Sequence, residues 1–340
     1  MGVTDRRMKM DRSNTLDWSV LDIDVRSEIE RISLSLREQT AQVLHRRGAV
    51  VAISGGVDSA VCAALAVRAF GPERVVALIL PERDSAPESS RRAKALAAHL
   101  GVTPLEQDIG PTLTAIGCYH SRDEAVRRML PDYGLGWRMK IVVSGGLEGQ
   151  INHFRLVAQS PDGVQHEARL ALREYLQIIA ATSFKQRVRK AIEYFHADRV
   201  NYAVIGTPNR LEYDQGFFVK NGDGAADIKP IAHLYKSQVY AIAAYLQLPA
   251  EIATALPTTD TYSLTQGQDE FYFALPYRQM DLALWALNHE CAPEQLARVL
   301  GISVERAKYV YDDICAKRRM ARYLHRRPLL VDPIEEIDCG

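Results

Sequence analysis

The ten residues Val50-Val51-Ala52-Ile53-Ser54-Gly55-Gly56-Val57-Asp58-Ser59 constrain this chain more than any other stretch. They open as an apolar β-type run, bend on two glycines and continue from Ala60 to Arg68 as an Ala-rich helical pattern. Strand, tight turn and helix start together form a cradle for an anion. Gly55 and Gly56 permit positive φ and close backbone approach. Free N–H groups at the positive end of the helix dipole then face the bound group. Asp58 beside such a cradle repels phosphate, and a divalent cation between carboxylate and phosphate removes the repulsion. The local chemistry reads as magnesium-pyrophosphate held at a helix start. It is not the Walker loop, which needs G-x-x-x-x-G-K-[ST].

A second apolar run follows at 75–80, ended by Pro81, and 89–99 reads as a helix closed by Gly101. This β-α-β-α order predicts an α/β fold, a doubly wound parallel sheet with its ligand beyond the carboxyl ends of the strands. Ser54 and Pro81 both lie at such ends. Upstream, Val25, Ile29, Ile32, Leu36, Val43 and Leu44 recur at helical spacing up to Gly48, whereas 1–20 reads as loosely ordered. Residues 118–181 change character. The segments 140–144, 153–159 and 164–170 are strand-like, and Ser160-Pro161-Asp162-Gly163 is a turn with Pro at its second position. We read a β-hairpin insertion outside the parallel sheet, with Gly145-Gly146 as a hairpin turn. A helix over 184–197 carries Lys185, Arg187, Arg189 and Lys190, and 202–207 is a further strand ending at Gly206. The long loop 217–230 carries Lys220, Asp223 and Asp227, a polar set not expected to serve packing. Helices over 235–245, 277–288, 293–300 and 304–323 give a helical C-terminal part.

Composition closes off several classes. At 340 residues and 47% hydrophobic, the chain has enough for one large α/β domain or two smaller ones. With 42 basic and 42 acidic side chains, zero net charge argues against a nucleic-acid partner. It also argues against reading the helix-turn-helix-like stretch 292–303 as a DNA reader. The five cysteines are odd in number and form no C-x-x-C pair, which fits a reduced cytoplasmic protein without structural zinc. No apolar run reaches membrane-spanning length, and 1–14 lacks the apolar region of a signal peptide.

The run Ser54-Gly55-Gly56-Val57-Asp58-Ser59 resembles the signature of the PP-loop ATP pyrophosphatases, which cleave ATP between the α- and β-phosphates and adenylate a substrate. Later motifs narrow this. Gly206-Thr207, Asn209 and Glu212, then Gly216 to Lys220, Gly222-Asp223-Gly224 to Pro230, Leu234-Tyr235-Lys236-Ser237-Gln238, and Pro257-Thr258-Thr259-Asp260 follow in an order and spacing similar to NAD synthetase. The resemblance covers roughly 50–110 and 182–330. It implies that a carboxylate of deamido-NAD attacks the α-phosphorus of ATP and that ammonia then displaces AMP. A carboxylate is a poor acyl electrophile, and the mixed anhydride supplies AMP as leaving group. Catalysis would then be positioning plus neutralisation of phosphate charge.

Carried over residue by residue, the resemblance implies that Ala52, Ile53, Ser54, Gly55, Gly56, Val57, Asp58 and Ser59 line the ATP loop. Asp58 and Glu212 are the implied Mg2+ ligands, and Thr207, Lys236 and Thr258 the further ATP contacts, with Asp58 and Lys236 as catalytic groups. Arg187, Lys220, Asp227, His325 and Arg326 are the implied deamido-NAD contacts. Ser183 stands where the family has Asn, Pro208 replaces Gly or Asp, and the 118–181 insertion is absent from the short family form. About fifty residues precede the ATP loop, too few for an amidase domain. Ammonia is therefore expected directly, or from a separate glutaminase partner. A homodimer is expected, for which Val25, Ile29, Ile32 and Leu36 are a candidate contact; intrachain packing is the other reading. The same adenylation on another carboxylate, or an inactive nucleotide-binding paralogue, remain alternatives.

Overall fold

The computed structural model describes residues 16–144, 153–255, 262–264, 272–273 and 275–334. In chain order, α1 is Val25–Glu38, β1 Ala49–Ala52, α2 Val57–Phe70, β2 Val75–Ile79, α3 Pro87–His99, β3 Leu105–Glu106, α4 Gly110–Ala115 and α5 Cys118–Met129. Then come β4 Arg138–Ser144, β5 His153–Gln159, β6 Gln165–Arg169, α6 Leu172–Val200, β7 Ala203–Val204, α7 Arg210–Gln215, α8 Lys236–Tyr245 and α9 Ala250–Ala253. Helices Tyr277–Asn288, Pro293–Leu300 and Val304–His325 follow.

Strands β1, β2, β3 and β7 form the parallel sheet, in the order β3-β2-β1-β7. The apolar runs of β1, β2 and β7 are what a sheet covered on both faces requires. Alternation along β1 divides the cover. Val51 enters a core with α1, α2 and α8, while Val50 enters a second core with Leu78, Val204 and α6 residues. Helix α2 is buried on nearly every side, as its largely apolar composition requires. Because β2 and β7 flank β1 on opposite sides, the crevice between the carboxyl ends of β1 and β7 is where strand order reverses.

Three expectations change here. The hairpin is a three-stranded antiparallel sheet, β4-β5-β6, in which Ile141 faces Leu156 and Leu156 faces Ala168. Its turn is as read, with the Gly163 N–H donating to the Ser160 carbonyl at 2.9 Å. The helix expected over 184–197 begins at Leu172 and runs 29 residues, so the 118–181 segment ends inside a helix that also covers the parallel sheet. Residues 16–20 are not loose. Leu16 and Leu21 are buried among the C-terminal helices, around a single turn at Trp18–Leu21. The stripe Ile29, Ile32 and Leu36 is buried within the chain, with Val25 partly buried against it, so the intrachain reading holds.

The basic face of α6 turns inward. Lys185, only 1% exposed, donates to Glu82 Oε1 at 3.1 Å and Asp84 Oδ2 at 2.6 Å. The Tyr119 hydroxyl donates to Glu82 Oε2 at 2.7 Å, and Arg122 pairs with Asp84 and Asp123. Burial alone would push the Asp84 carboxyl up, but Lys185 and Arg122 outweigh it and hold it below the usual range. Lys190 is likewise buried and paired with Glu193 at 2.6 Å. This network bolts α5 and α6 to the loop beyond β2.

Candidate active site

The glycine turn is built as a bend followed by an open helix end. Gly55 has φ +83°, and a Cβ on it would lie 2.5 Å from the Ser89 carbonyl oxygen at the start of α3. Gly56 does not share this need. Its φ is −90° and ψ 159°, and its nearest prospective contact is Ser54 Oγ at 3.4 Å. The expectation of positive φ at both glycines therefore holds for Gly55 alone. Ser59 Oγ accepts the Ser54 N–H at 3.2 Å and donates to the Gly56 carbonyl at 3.0 Å, tying the turn shut. Helix α2 has no side-chain cap, so its first-turn N–H groups stay open to an anion. Ala52 is half-buried, and the Ile53 and Val57 side chains point into the core, leaving backbone as their only offering to a ligand.

Across the crevice, β7 leads through Gly206 and the half-buried Thr207 to Asn209. Asn209 Oδ1 caps α7 by accepting the Leu211 and Glu212 N–H groups at 3.0 and 3.2 Å, and Glu212 Oε2 accepts the Asn209 N–H at 3.1 Å. Asn209 Nδ2 also donates to Asp58 Oδ1 at 3.3 Å. Lys236, the first residue of α8, is 3% exposed and pairs with Asp58 Oδ2. Burial pulls the Lys236 ammonium downward, but Asp58 and Glu212 outweigh it and hold its pKa above the ordinary lysine value. The structure thus brings Asp58, Glu212 and Lys236 together beside the turn. Cys62 sits beneath them, and burial together with the same two carboxylates pushes its thiol up, which leaves it unreactive. Thr258 lies outside the described residues.

The set implied for the dinucleotide runs along α6, the 217–230 loop and the last helix. Arg187 Nε donates to the Lys220 carbonyl at 3.2 Å. Lys220 Nζ donates to the Tyr323 and Arg326 carbonyls, both at 3.0 Å, and stands 4.4 Å from the Tyr323 ring centroid. His325 Nε2 is 2.9 Å from the Tyr213 carbonyl, with its ring edge-on to Tyr213 and Phe218. His325 and Arg326 line an open groove of about 570 Å³ with Arg210, Tyr213, Arg318 and Arg322. Asp227 Oδ2 accepts the Val204 N–H at 2.7 Å, and Tyr194 donates to its Oδ1 at 3.3 Å. Asp223, expected to be free of packing duty, instead accepts the Val219 N–H at 2.7 Å and closes its own loop.

Sequence reasoning passed over two groups. Asn209 was legible as half of an N-x-x-E capping box, although its bond to Asp58 was not. Asp281, which contacts the backbone of Lys236, carries no local signal. Among the described residues no three His, Cys, Asp or Glu side chains form a metal cage. Two carboxylates flanking an anion cradle nonetheless fit Mg2+, which takes one or two carboxylates plus substrate phosphates.

The family model for NAD synthase matches residues 28–140 and 156–324. This chain belongs to the NAD synthase family. The gap in the match, 141–155, takes in the end of β4 and the start of β5. The NH(3)-dependent NAD(+) synthetase of Rhizobium meliloti is 55% identical over 319 residues, 94% of this chain and 95% of that protein. The protein of the same name from Thermotoga maritima is 37% identical over 282 residues, 82% of this chain and 92% of that one. Among solved structures, an NH3-dependent NAD synthetase from Campylobacter jejuni superposes with TM-score 0.60 at 20% identity, covering 92% of this chain and all of that one. An NMN synthetase from Francisella tularensis gives TM-score 0.62 at 21% identity, covering 91% of this chain and 99% of that one. These two likenesses speak to the fold, which is the doubly wound sheet that the β-α-β-α order predicted. No helix among the described residues is long and apolar enough to cross a membrane.

Proposed function

We propose that this chain amidates deamido-NAD with ammonia at the cost of ATP, releasing NAD, AMP and pyrophosphate. The observation that carries the reading is the convergence of Asp58, Glu212 and Lys236 on an uncapped helix start at the point where strand order reverses. In the first step the nicotinate carboxylate oxygen attacks the α-phosphorus, forming an O–P bond as the bond to the pyrophosphate oxygen breaks. In the second, ammonia attacks the acyl carbon, a C–N bond forms, the C–O bond to AMP breaks and a proton leaves the nitrogen. The open N–H groups of α2 receive the pyrophosphate as it departs. Lys236 offers a compact charge to the same oxygens from a dry site, where it acts more strongly than in water. Asp58 and Glu212 would hold Mg2+, which supplies charge neutralisation on the phosphates.

Arg187, Lys220, Asp227, His325 and Arg326 serve the dinucleotide on this reading. The support, for His325 and Arg326, is the groove they line, whose arginines Arg210, Arg318, Arg322 and Arg326 outnumber Asp214, the acid lining it. A homodimer belongs to the same reading. Since the α1 stripe is buried, its contact would use outward residues such as Leu34 and Val43. The test incubates the pure chain with deamido-NAD, ATP, MgCl2 and ammonium chloride and follows products by mass spectrometry. NAD, AMP and pyrophosphate should form in equal amounts, and glutamine in place of ammonium should give none. AMP release with another carboxylate but not with deamido-NAD would move the substrate while keeping the adenylation. No AMP release from Asp58-containing protein with any acid would overturn the whole reading.

A further inference from the structure

Lys236 owes its place to a residue 45 positions downstream. Asp281, on helix Tyr277–Asn288, is fully buried. Its Oδ1 accepts the Lys236 N–H at 3.1 Å and its Oδ2 the Ser237 N–H at 2.7 Å. The first N–H groups of any helix lack intrahelical partners. Here two of those of α8 are satisfied from a different helix, by the two oxygens of one carboxyl group. From that same turn Lys236 Nζ reaches the Asp58 carboxylate beside the glycine bend. The path from Asp281 through the first turn of α8 to Lys236 and Asp58 is unbroken and buried for most of its length. A second brace meets the turn from the other side. Gln238 Oε1 accepts the Tyr235 N–H and Gln238 Nε2 donates to the Leu21 carbonyl, both at 2.9 Å.

We propose that Asp281 is a positioning residue for the adenylation step, one that never meets substrate but sets where the Lys236 ammonium stands against the phosphates. The inference rests on the ATP reading of Lys236 given above. Its physical content is that the anchored atoms belong to Lys236 itself and its neighbour. A slip of the first turn of α8 is therefore passed directly to Nζ. Replacing Asp281 by Asn leaves the shape but puts an amide N–H against one backbone N–H, so one of the two anchors is lost.

A double-mutant cycle separates this from a merely structural cap. NAD formation is measured for wild type, Asp281→Asn, Lys236→Met and the double variant, at saturating deamido-NAD and ATP with ammonium varied. Misplacing a reacting group by about an ångström costs roughly 10–100-fold, so Asp281→Asn should lower kcat by that factor with KM for ammonium unchanged. Lys236→Met should lose about 10²–10³-fold. The double variant should lie within about twofold of Lys236→Met, because coupled residues do not add. An equal loss from Asp281→Asn in both backgrounds would overturn the positioning role and leave the ATP reading standing. Near-wild-type turnover by Lys236→Met would overturn the phosphate role of Lys236, and this inference with it. Should Asp281→Asn fail to fold, Asp281→Glu carries the same cycle, since it keeps the charge and displaces the acceptor.

Discussion

The two adjacent glycines of the turn make opposite demands, and substituting each by alanine is the sharpest test of the site's geometry. At Gly55 the backbone has φ +83°, and an added Cβ would sit 2.5 Å from the Ser89 carbonyl oxygen and 3.1 Å from Ser89 Cα. The left-handed conformation alone costs a non-glycine residue about 1–2 kcal/mol. The clash is with backbone, so it is relieved only by moving the bend or the start of α3, and we set the total at about 2–3 kcal/mol. At about 1.4 °C per kcal/mol for a chain of this size, the thermal midpoint of Gly55→Ala should fall by roughly 3–4 °C. Its KM for ATP should rise with it, because the bend and the α2 start move together. At Gly56, φ is −90° and the nearest atom 3.4 Å away, so Gly56→Ala should keep the wild-type midpoint within about 1–2 °C. Any effect of Gly56→Ala should fall on ATP affinity alone, where a methyl group stands between backbone and phosphate. Scanning calorimetry and initial-rate kinetics on both variants decide it. A Gly55→Ala protein as stable as wild type, or a Gly56→Ala protein equally destabilised, would refute the account of the turn.

Lys185→Met should cost about 3–5 kcal/mol in urea unfolding, since removing one partner strands buried charge on Glu82 and Asp84; a loss below about 1 kcal/mol would mean the network is not load-sharing. A pH series on Asp281 tests burial itself. Its carboxyl is pushed up to about 7 by desolvation, only partly offset by the Ser237 and Lys236 N–H groups. The folded chain therefore holds this proton to higher pH than the unfolded chain, in which Asp titrates near about 3.9. The stabilisation is complete below about 4 and is lost as pH rises through about 7. Relative to Asp281→Asn, wild type should thus lose stability across that window and then level off, and a pH-independent difference would contradict it.

What the sequence made legible follows from how local each demand is. The turn at 54–59 was readable because strand, glycine bend and helix start are consecutive, and the parallel sheet because its strands are short apolar runs between helices. The antiparallel turn at 160–163 was readable from Pro161 and Gly163. The early start of α6 was hidden because Ala171 offers no side-chain cap before it, whereas the basic run at 185–190 stands out. That run then misled. Lys185 and Lys190 look like a solvated or substrate-facing strip, and their carboxylate partners make them interior, one of them 103 residues away. Asp281 was invisible for the same reason, as its partners are backbone atoms 45 and 44 positions distant. Gly56 differs again, because the absence of a side chain in a sequence does not say which sign of φ the bend adopts.

Leu16 and Leu21 share one cluster with Leu282, Leu284, Val310 and Ile314, and Gln238 holds the Leu21 carbonyl beside the Lys236 turn. A segment that precedes the parallel sheet is thus completed by helices that follow it in the chain. The parallel sheet can assemble while synthesis is still under way, in the usual order of emergence. The turn that presents Lys236 takes one of its two braces from helix Tyr277–Asn288, which follows the sheet in the chain. The turn of Lys236 therefore draws its support from both sides of the parallel sheet in the chain, the Leu21 carbonyl from ahead of it and the Asp281 carboxyl from behind it.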